Sequence, residues 1–123
     1  MGTIKVMVVD DDNNICEYLR LYLEKEGFAV EIYHDGRTAV DNFAKFDPAI
    51  ILLDVMMPKM NGFKISRLLK FDTKYKNIPI LMLTARSQES DKQIGVETGA
   101  NEYITKPFEI DDVLNRVAKY LGN

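Results

Sequence analysis

One cysteine in 123 residues excludes an internal disulfide. Cys16 shares helical spacing with Ile15, Leu19 and Leu23, which marks a small core side chain rather than a reactive thiol. No apolar run approaches the roughly 18 residues that a spanning helix requires, so no membrane contact is expected. Nor is there a basic excess: 16 Lys and Arg face 19 Asp and Glu, for a net charge of −3. Nucleic-acid binders usually carry a basic patch, so direct nucleic-acid contact is not expected either. Met1-Gly2-Thr3-Ile4-Lys5 enters a strand pattern almost at once, without the pattern of a signal peptide, and a cytoplasmic location is expected. Repeats, low-complexity stretches and linkers are missing too. The chain reads as one domain over 1–123, long enough to bury a core.

What is present is an alternation. Four apolar runs each stop at a polar residue: Val6-Met7-Val8-Val9 at Asp10-Asp11-Asp12, Ile50-Ile51-Leu52-Leu53 at Asp54, Ile80-Leu81-Met82-Leu83 at Thr84, and Tyr103-Ile104-Thr105 at Lys106. Such runs read as strands buried on both faces of a parallel sheet. Strands are predicted over 4–9, 28–33 and 49–53, in a stretch opened by Asn77-Ile78-Pro79, and over 102–105. A helix capped by Asp12 or Asn13 runs to about Glu26, with Ile15, Leu19, Tyr22 and Leu23 inward and Gly27 as its stop. A second follows Asp35-Gly36, carries Ala39, Val40, Phe43 and Ala44, and closes at Asp47-Pro48. A third follows Pro58 and Gly62 and bears Phe63, Ile65, Leu68 and Leu69. The last two are predicted over 88–97, ending near Gly99, and over 109–120, with Ile110, Val113, Leu114 and Val117. The charged segment 70–76 reads as a solvated helix end and loop. Five strand–helix pairs with short connections predict an α/β fold, a doubly wound five-stranded parallel sheet with five helices.

Open sheets of this class form their sites at the carboxyl ends of the strands. Asp10, Asp11, Asp12, Asp54, Thr84 and Lys106 would therefore converge on one edge, as an acidic metal pocket with a hydroxyl and an ammonium beside it. Three consecutive aspartates repel one another unless a cation or a helix-capping role holds them, and both roles are open here. Carboxylate-rich sites suit hard cations such as magnesium. Asp10-x-Asp12-x-Asn14 starts like a calcium-binding EF-hand loop, but Ile15 stands where Gly is required and Leu21 where the closing Glu belongs. No Gly-rich turn ends in Lys-Ser or Lys-Thr, which excludes a Walker-type phosphate loop. Carboxylates after the first strand would also repel the phosphate of a flavin mononucleotide.

The motifs Val8-Val9-Asp10-Asp11, Leu52-Leu53-Asp54-Val55-Met56-Met57-Pro58, Asn61-Gly62, Leu83-Thr84-Ala85 and Lys106-Pro107-Phe108 occur in this order along the chain. With them the chain resembles bacterial response-regulator receiver domains over essentially its whole length. The resemblance implies a (βα)5 fold with flavodoxin-like strand order 2-1-3-4-5. It implies a phosphorylation-dependent switch of a two-component system or phosphorelay, which takes a phosphoryl group from a histidine kinase or histidine phosphotransfer protein. In that family Asp54 would be the phosphoacceptor, since a carboxylate can attack phosphorus and form an acyl phosphate. Asp11 would hold Mg2+, with Mn2+ as a substitute, and Asp10 would reach it through water. Asp54 and the backbone carbonyl of Met56 would give further oxygens. Thr84, with Ala85 leaving room beside it, and Lys106 would contact the phosphoryl group. Pro107 would follow a cis bond. Thr84 and Tyr103 would act as a switch on the face made by helix 88–97, the fifth strand and the last helix. Without the resemblance, Tyr103 is a half-exposed strand aromatic, Lys106 a solvated lysine and Asp12 a helix cap.

Some positions depart from the pattern. Asn61 stands where many relatives have Asp, but Asn also supports a turn. Met56 and Arg86 occupy positions that tune phosphate lifetime in the family. Neither offers a base for an attacking water, so self-dephosphorylation is expected to be slow. The segment 97–108 resembles receivers of winged-helix transcription regulators, which pair through charges. Lys92, Glu97, Glu102, Asp112 and Arg116 are candidates for such a homodimer on phosphorylation, with Val96 as an apolar part and Gln93 as a polar departure. Alternatively these are solvated charges. The loop 71–79 is common in stand-alone and cyclic-dinucleotide-linked receivers too. No output segment follows Leu121-Gly122-Asn123, so the chain is expected to be stand-alone or cut from a larger regulator, with its downstream effector unknown. It is not expected to be an enzyme beyond its own phosphorylation and dephosphorylation. The alternative from another class is a small magnesium-dependent aspartyl-phosphate phosphohydrolase. That reading lacks the Thr or Val expected after Asp10-x-Asp12-x, and a cap domain for substrate.

Overall fold

Five strands alternate with helices: β1 (Lys5–Val9), α1 (Asn13–Lys25), β2 (Ala29–Tyr33), α2 (Gly36–Phe46), β3 (Ile50–Asp54), α3 (Gly62–Lys70), β4 (Ile80–Thr84), β5 (Glu102–Thr105) and α4 (Ile110–Tyr120). The structure, a computed structural model, describes residues 3–57, 60–85 and 99–121. The strands form one parallel sheet in the order β2-β1-β3-β4-β5. The order reverses between β1 and β3, and in folds of this class that switch point opens the crevice where sites form.

Strand periodicity divides the core. Val6, Val8, Ile50, Leu52, Leu81 and Leu83 face Cys16, Leu19 and Leu23 of α1 and Val113 and Val117 of α4. Met7, Val9, Ile51, Leu53, Ile80 and Met82 face Ala39 and Phe43 of α2 and Ile65 and Leu69 of α3. Every residue of β3 and β4 is buried, which is why these strands show no polar alternation. Burying each such side chain stabilises by about 1.5–3 kcal/mol. Cys16 is wholly buried, as its spacing predicts.

Three helices start on side-chain caps. Asp12 accepts from the N–H groups of Asn14 and Ile15, Asp35 from that of Thr38, and Asn61 from that of Lys64. Each satisfies donors that a helix start leaves without partners. Gly27 ends the α1 turn at φ +93°, where any other residue is strained.

Three details differ from expectation. Ala44 and Leu68, counted with the apolar positions of their helices, are exposed, because the buried faces of α2 and α3 are narrower than the apolar pattern. Lys70 is not a solvated end: its ammonium donates to the carbonyl oxygens of Lys76 (3.0 Å) and Ile78 (2.8 Å). Burial lowers its pKa. The predicted helix 88–97 lies outside the described residues, as do Pro58, Arg86, Lys92, Gln93, Val96 and Glu97. Among the described residues no helix is long and apolar enough to cross a membrane.

Candidate functional site

The sheet register decides what meets at its carboxyl edge. Val9 lies beside Leu53, Asp54 beside Leu83, and Thr84 beside Thr105. The next residues out are Asp10, Val55, Ala85 and Lys106. Asp10 is wholly buried and Asp54 nearly so, at 4% exposure, whereas Asp11 is exposed. One carboxylate oxygen from each of the three lies within 4.8 Å of the others, an all-oxygen donor set that can hold a cation.

Both oxygens of Asp10 already have partners. Oδ1 accepts the backbone N–H of Asp12 at 2.9 Å, and Oδ2 accepts the ammonium of Lys106 at 2.8 Å. Lys106 also donates to Oδ1 of Asp54 at 3.2 Å, so it bridges the two buried carboxylates. The backbone N–H of Met56 is hydrogen-bonded to the Asp54 carboxylate, and the Met56 side chain projects into solvent. Burial, followed by the charge of Asp10, pushes the Asp54 pKa from 3.8 to about 6, against the opposing pull of Lys106. For Lys106, burial is the largest influence and lowers the pKa. The Asp10 and Asp54 carboxylates together outweigh it, and the net shift is upward.

Two neighbours support this pocket, Gly62 of the Asn61-Gly62 motif and His34, which did not stand out in sequence. Gly62 starts α3 against the strand end: its N–H donates to the Val55 carbonyl at 3.0 Å, and a Cβ would lie 2.4 Å from the Asp54 carbonyl oxygen. His34, just past β2, places Nδ1 at 3.1 Å from the Asp10 carbonyl oxygen, to which the Cys16 thiol also donates at 3.1 Å. The available signal for His34 was positional, a polar residue ending the second strand on the same edge as Asp10.

Thr84 is wholly buried, and its carbonyl accepts the Lys106 N–H at 2.6 Å. Ala85 is exposed beside it. Tyr103 is half-buried and packs on the core beneath α2 and α3. The Lys106–Pro107 bond is cis. Of the charges proposed for a dimer, Glu102, Asp112 and Arg116 are bonded to each other within the chain. Arg116 donates to Asp112 at 3.0 Å and to Glu102, and Glu102 also accepts from Lys119 (3.1 Å) and the Tyr120 hydroxyl. The Tyr120 bond is the foremost reason that the Glu102 pKa is lowered.

The family described as response regulator receiver domain matches residues 6–118. The chain belongs to this family. Its members act as signalling switches of two-component systems, in which histidine kinases or phosphotransfer proteins are the partners. The receiver is 34% identical to chemotaxis protein CheY4 of Vibrio cholerae, covering 97% of this chain and 99% of that one at a TM-score of 0.91. It is 32% identical to the signal receiver domain of a signal transduction histidine kinase from Syntrophus aciditrophicus, covering 98% and 91% at 0.91. A BeF3-activated DrrB receiver domain is 30% identical, covering 99% and 100% at 0.89.

Proposed function

We propose that this receiver accepts a phosphoryl group on Asp54 from a phosphohistidine and passes the signal through a change of shape. The observation that carries this reading is the Lys106 bridge between Asp10 and Asp54, an ammonium already seated where a transferred phosphoryl group needs a counter-charge. An Asp54 carboxylate oxygen forms the new bond to phosphorus as the phosphorus–nitrogen bond of the donor breaks. The imidazole keeps that bonding pair and takes up a proton. Burial with Lys106 and the Met56 N–H holds the carboxylate in one orientation for in-line attack. Asp11, Asp10, Asp54 and the Met56 carbonyl are the groups that would hold Mg2+, or Mn2+ in its place. When bound, the ion neutralises charge on the phosphoryl oxygens. Lys106 and the Thr84 hydroxyl contact those oxygens after transfer, and Ala85 leaves them space. Thr84 and Tyr103 then bias the face that includes β5 and α4.

Incubation with Mg2+ and acetyl phosphate should give a phosphate-sized mass gain in the wild type and none in Asp54→Asn. The absence of a gain in the wild type refutes the proposal, and sustained turnover of phosphoesters would favour the phosphohydrolase alternative. Beryllofluoride, named with the similar DrrB domain, gives a second test. With Mg2+ it should shift the receiver to a dimer in size-exclusion chromatography if Glu102, Asp112 and Arg116 exchange internal partners for those of a second copy. An unchanged monomer removes the dimer.

A further inference from the structure

α3 presents two stripes. Gly62, Ile65, Ser66 and Leu69 are buried against the sheet, while Lys64, Arg67, Leu68 and Phe71 are exposed. Both sets follow i, i+3, i+4, i+7 spacing, so each lines one side of the helix and its C-cap. The outward stripe of a surface helix is normally polar. Here half of it is large and apolar: Leu68 is 47% exposed and Phe71 82%. Phe71 is the C-cap, and its N–H is bound to the Arg67 and Leu69 carbonyls. Its backbone is fixed while its ring stands in water.

The charge around the stripe is lopsided. Residues 64–76 contain five of the chain's 16 cations and one of its 19 acids, so this segment carries +4 while the rest carries −7. The one acid, Asp72, is turned to its own loop, accepting the Lys74 N–H at 2.8 Å. Lys70 folds the loop down. Its ammonium ties the Lys76 and Ile78 carbonyls, and its stem lies where a Cβ on Gly99 would approach to 2.2 Å. That clamp sets Lys74 and Lys76, both exposed, in the loop that continues from the stripe.

We infer that the outer face of α3 docks an acidic amphipathic segment of another protein. The partner's apolar side chains cover Leu68 and Phe71, and its carboxylates meet Lys64, Arg67, Lys74 and Lys76. An exposed aromatic with a mainly positive surround has the anatomy of an interface anchor and its rim. The positive rim on a net-negative protein selects an acidic partner. Single-stranded nucleic acid fits less well, since Leu68 offers no ring for stacking. A second copy would have to place a different surface on the stripe, a heterologous contact that grows as an open chain. The inference does not rest on phosphorylation of Asp54.

The test is fluorescence anisotropy with two labelled helical peptides that share Leu and Phe at i, i+3 spacing, one flanked by glutamates and one by lysines, beside a labelled oligothymidine. The glutamate peptide should bind in the micromolar range, with the other two probes weaker by about tenfold or more. Phe71→Ser and the double variant Lys64→Glu, Arg67→Glu should each weaken binding about tenfold. Leu21→Ser, at an exposed apolar residue of α1, should leave it unchanged. Circular-dichroism melts of each variant establish that it is folded. No binding of the glutamate peptide, equal binding of both peptides, tighter binding of the oligothymidine, or an equal loss in Leu21→Ser overturns the inference. Concentration-dependent self-association in sedimentation that disappears in Phe71→Ser would also overturn it, by assigning the face to a second copy.

Discussion

Asp54→Asn should stabilise the metal-free receiver at neutral pH. The folded chain holds the Asp54 proton more tightly than the unfolded chain, with a pKa of about 6 against 3.8. Ionised Asp54 therefore costs stability. The cost is absent below the unfolded pKa, grows as pH rises between the two values, and is complete above the folded one. The full difference corresponds to about 3 kcal/mol, an upper limit that solvent access and relaxation reduce to on the order of 1–2 kcal/mol. Asparagine keeps the size of the side chain and an oxygen for the Met56 N–H, and Lys106 retains Asp10 as partner. For a domain of this size the gain appears as a Tm increase of about 3–8 °C. Differential scanning calorimetry in chelator at pH 7.5 reads it directly. At pH 4 only about a fifth of the gain should survive. Equal or lower stability of Asp54→Asn at pH 7.5, or a gain of the same size at pH 4, would show that the charge on Asp54 is not held against its own stability.

Further outcomes follow from the same pocket. Lys106→Met leaves wholly buried Asp10 without its cation and should lower stability by on the order of 2–4 kcal/mol at pH 7.5, read from urea midpoints. An unchanged midpoint would mean that Asp10 is solvated. Gly62→Ala forces a methyl into the Asp54 carbonyl oxygen and should destabilise by about 2 kcal/mol or more. Gly27→Ala, at positive φ but in open space, should cost only about 1 kcal/mol, so equal melting temperatures for these two variants would remove the steric account. Phosphorylated wild type should lose its phosphoryl group over minutes or longer, because exposed Met56 offers no base to a water. Loss within seconds by mass spectrometry contradicts this.

Much of the pocket was legible because strand ends in a parallel sheet are chemically conspicuous. An apolar run that stops at Asp54 or Thr84 announces both the strand and its edge, and register then brings the edges together. Caps were legible for the same local reason, since Asp12 acts within its own turn. What sequence could not supply was contact at a distance. Lys70 looks like any lysine at a helix end, and only the path of residues 76–78 shows that two carbonyls wait for it. Arg116, Lys119 and Tyr120 meet on Glu102 through the packing of α4 beside β5, which no spacing in the chain announces. Leu68 shows a different limit: periodicity marks an apolar residue without saying whether its stripe reaches the core.

The contact of Gly62 with Asp54 seats the start of α3 on the strand end. At one end, with no side chain between, the helix rests on the backbone that carries Asp54. About 13 Å away, at the rise of an α-helix, its other end carries Phe71. A shift of the Asp54 backbone that carries α3 with it would displace the outer stripe, and a partner gripping the stripe would then press back on the strand end. Thermodynamic reciprocity then requires the two events to favour or oppose each other by the same factor.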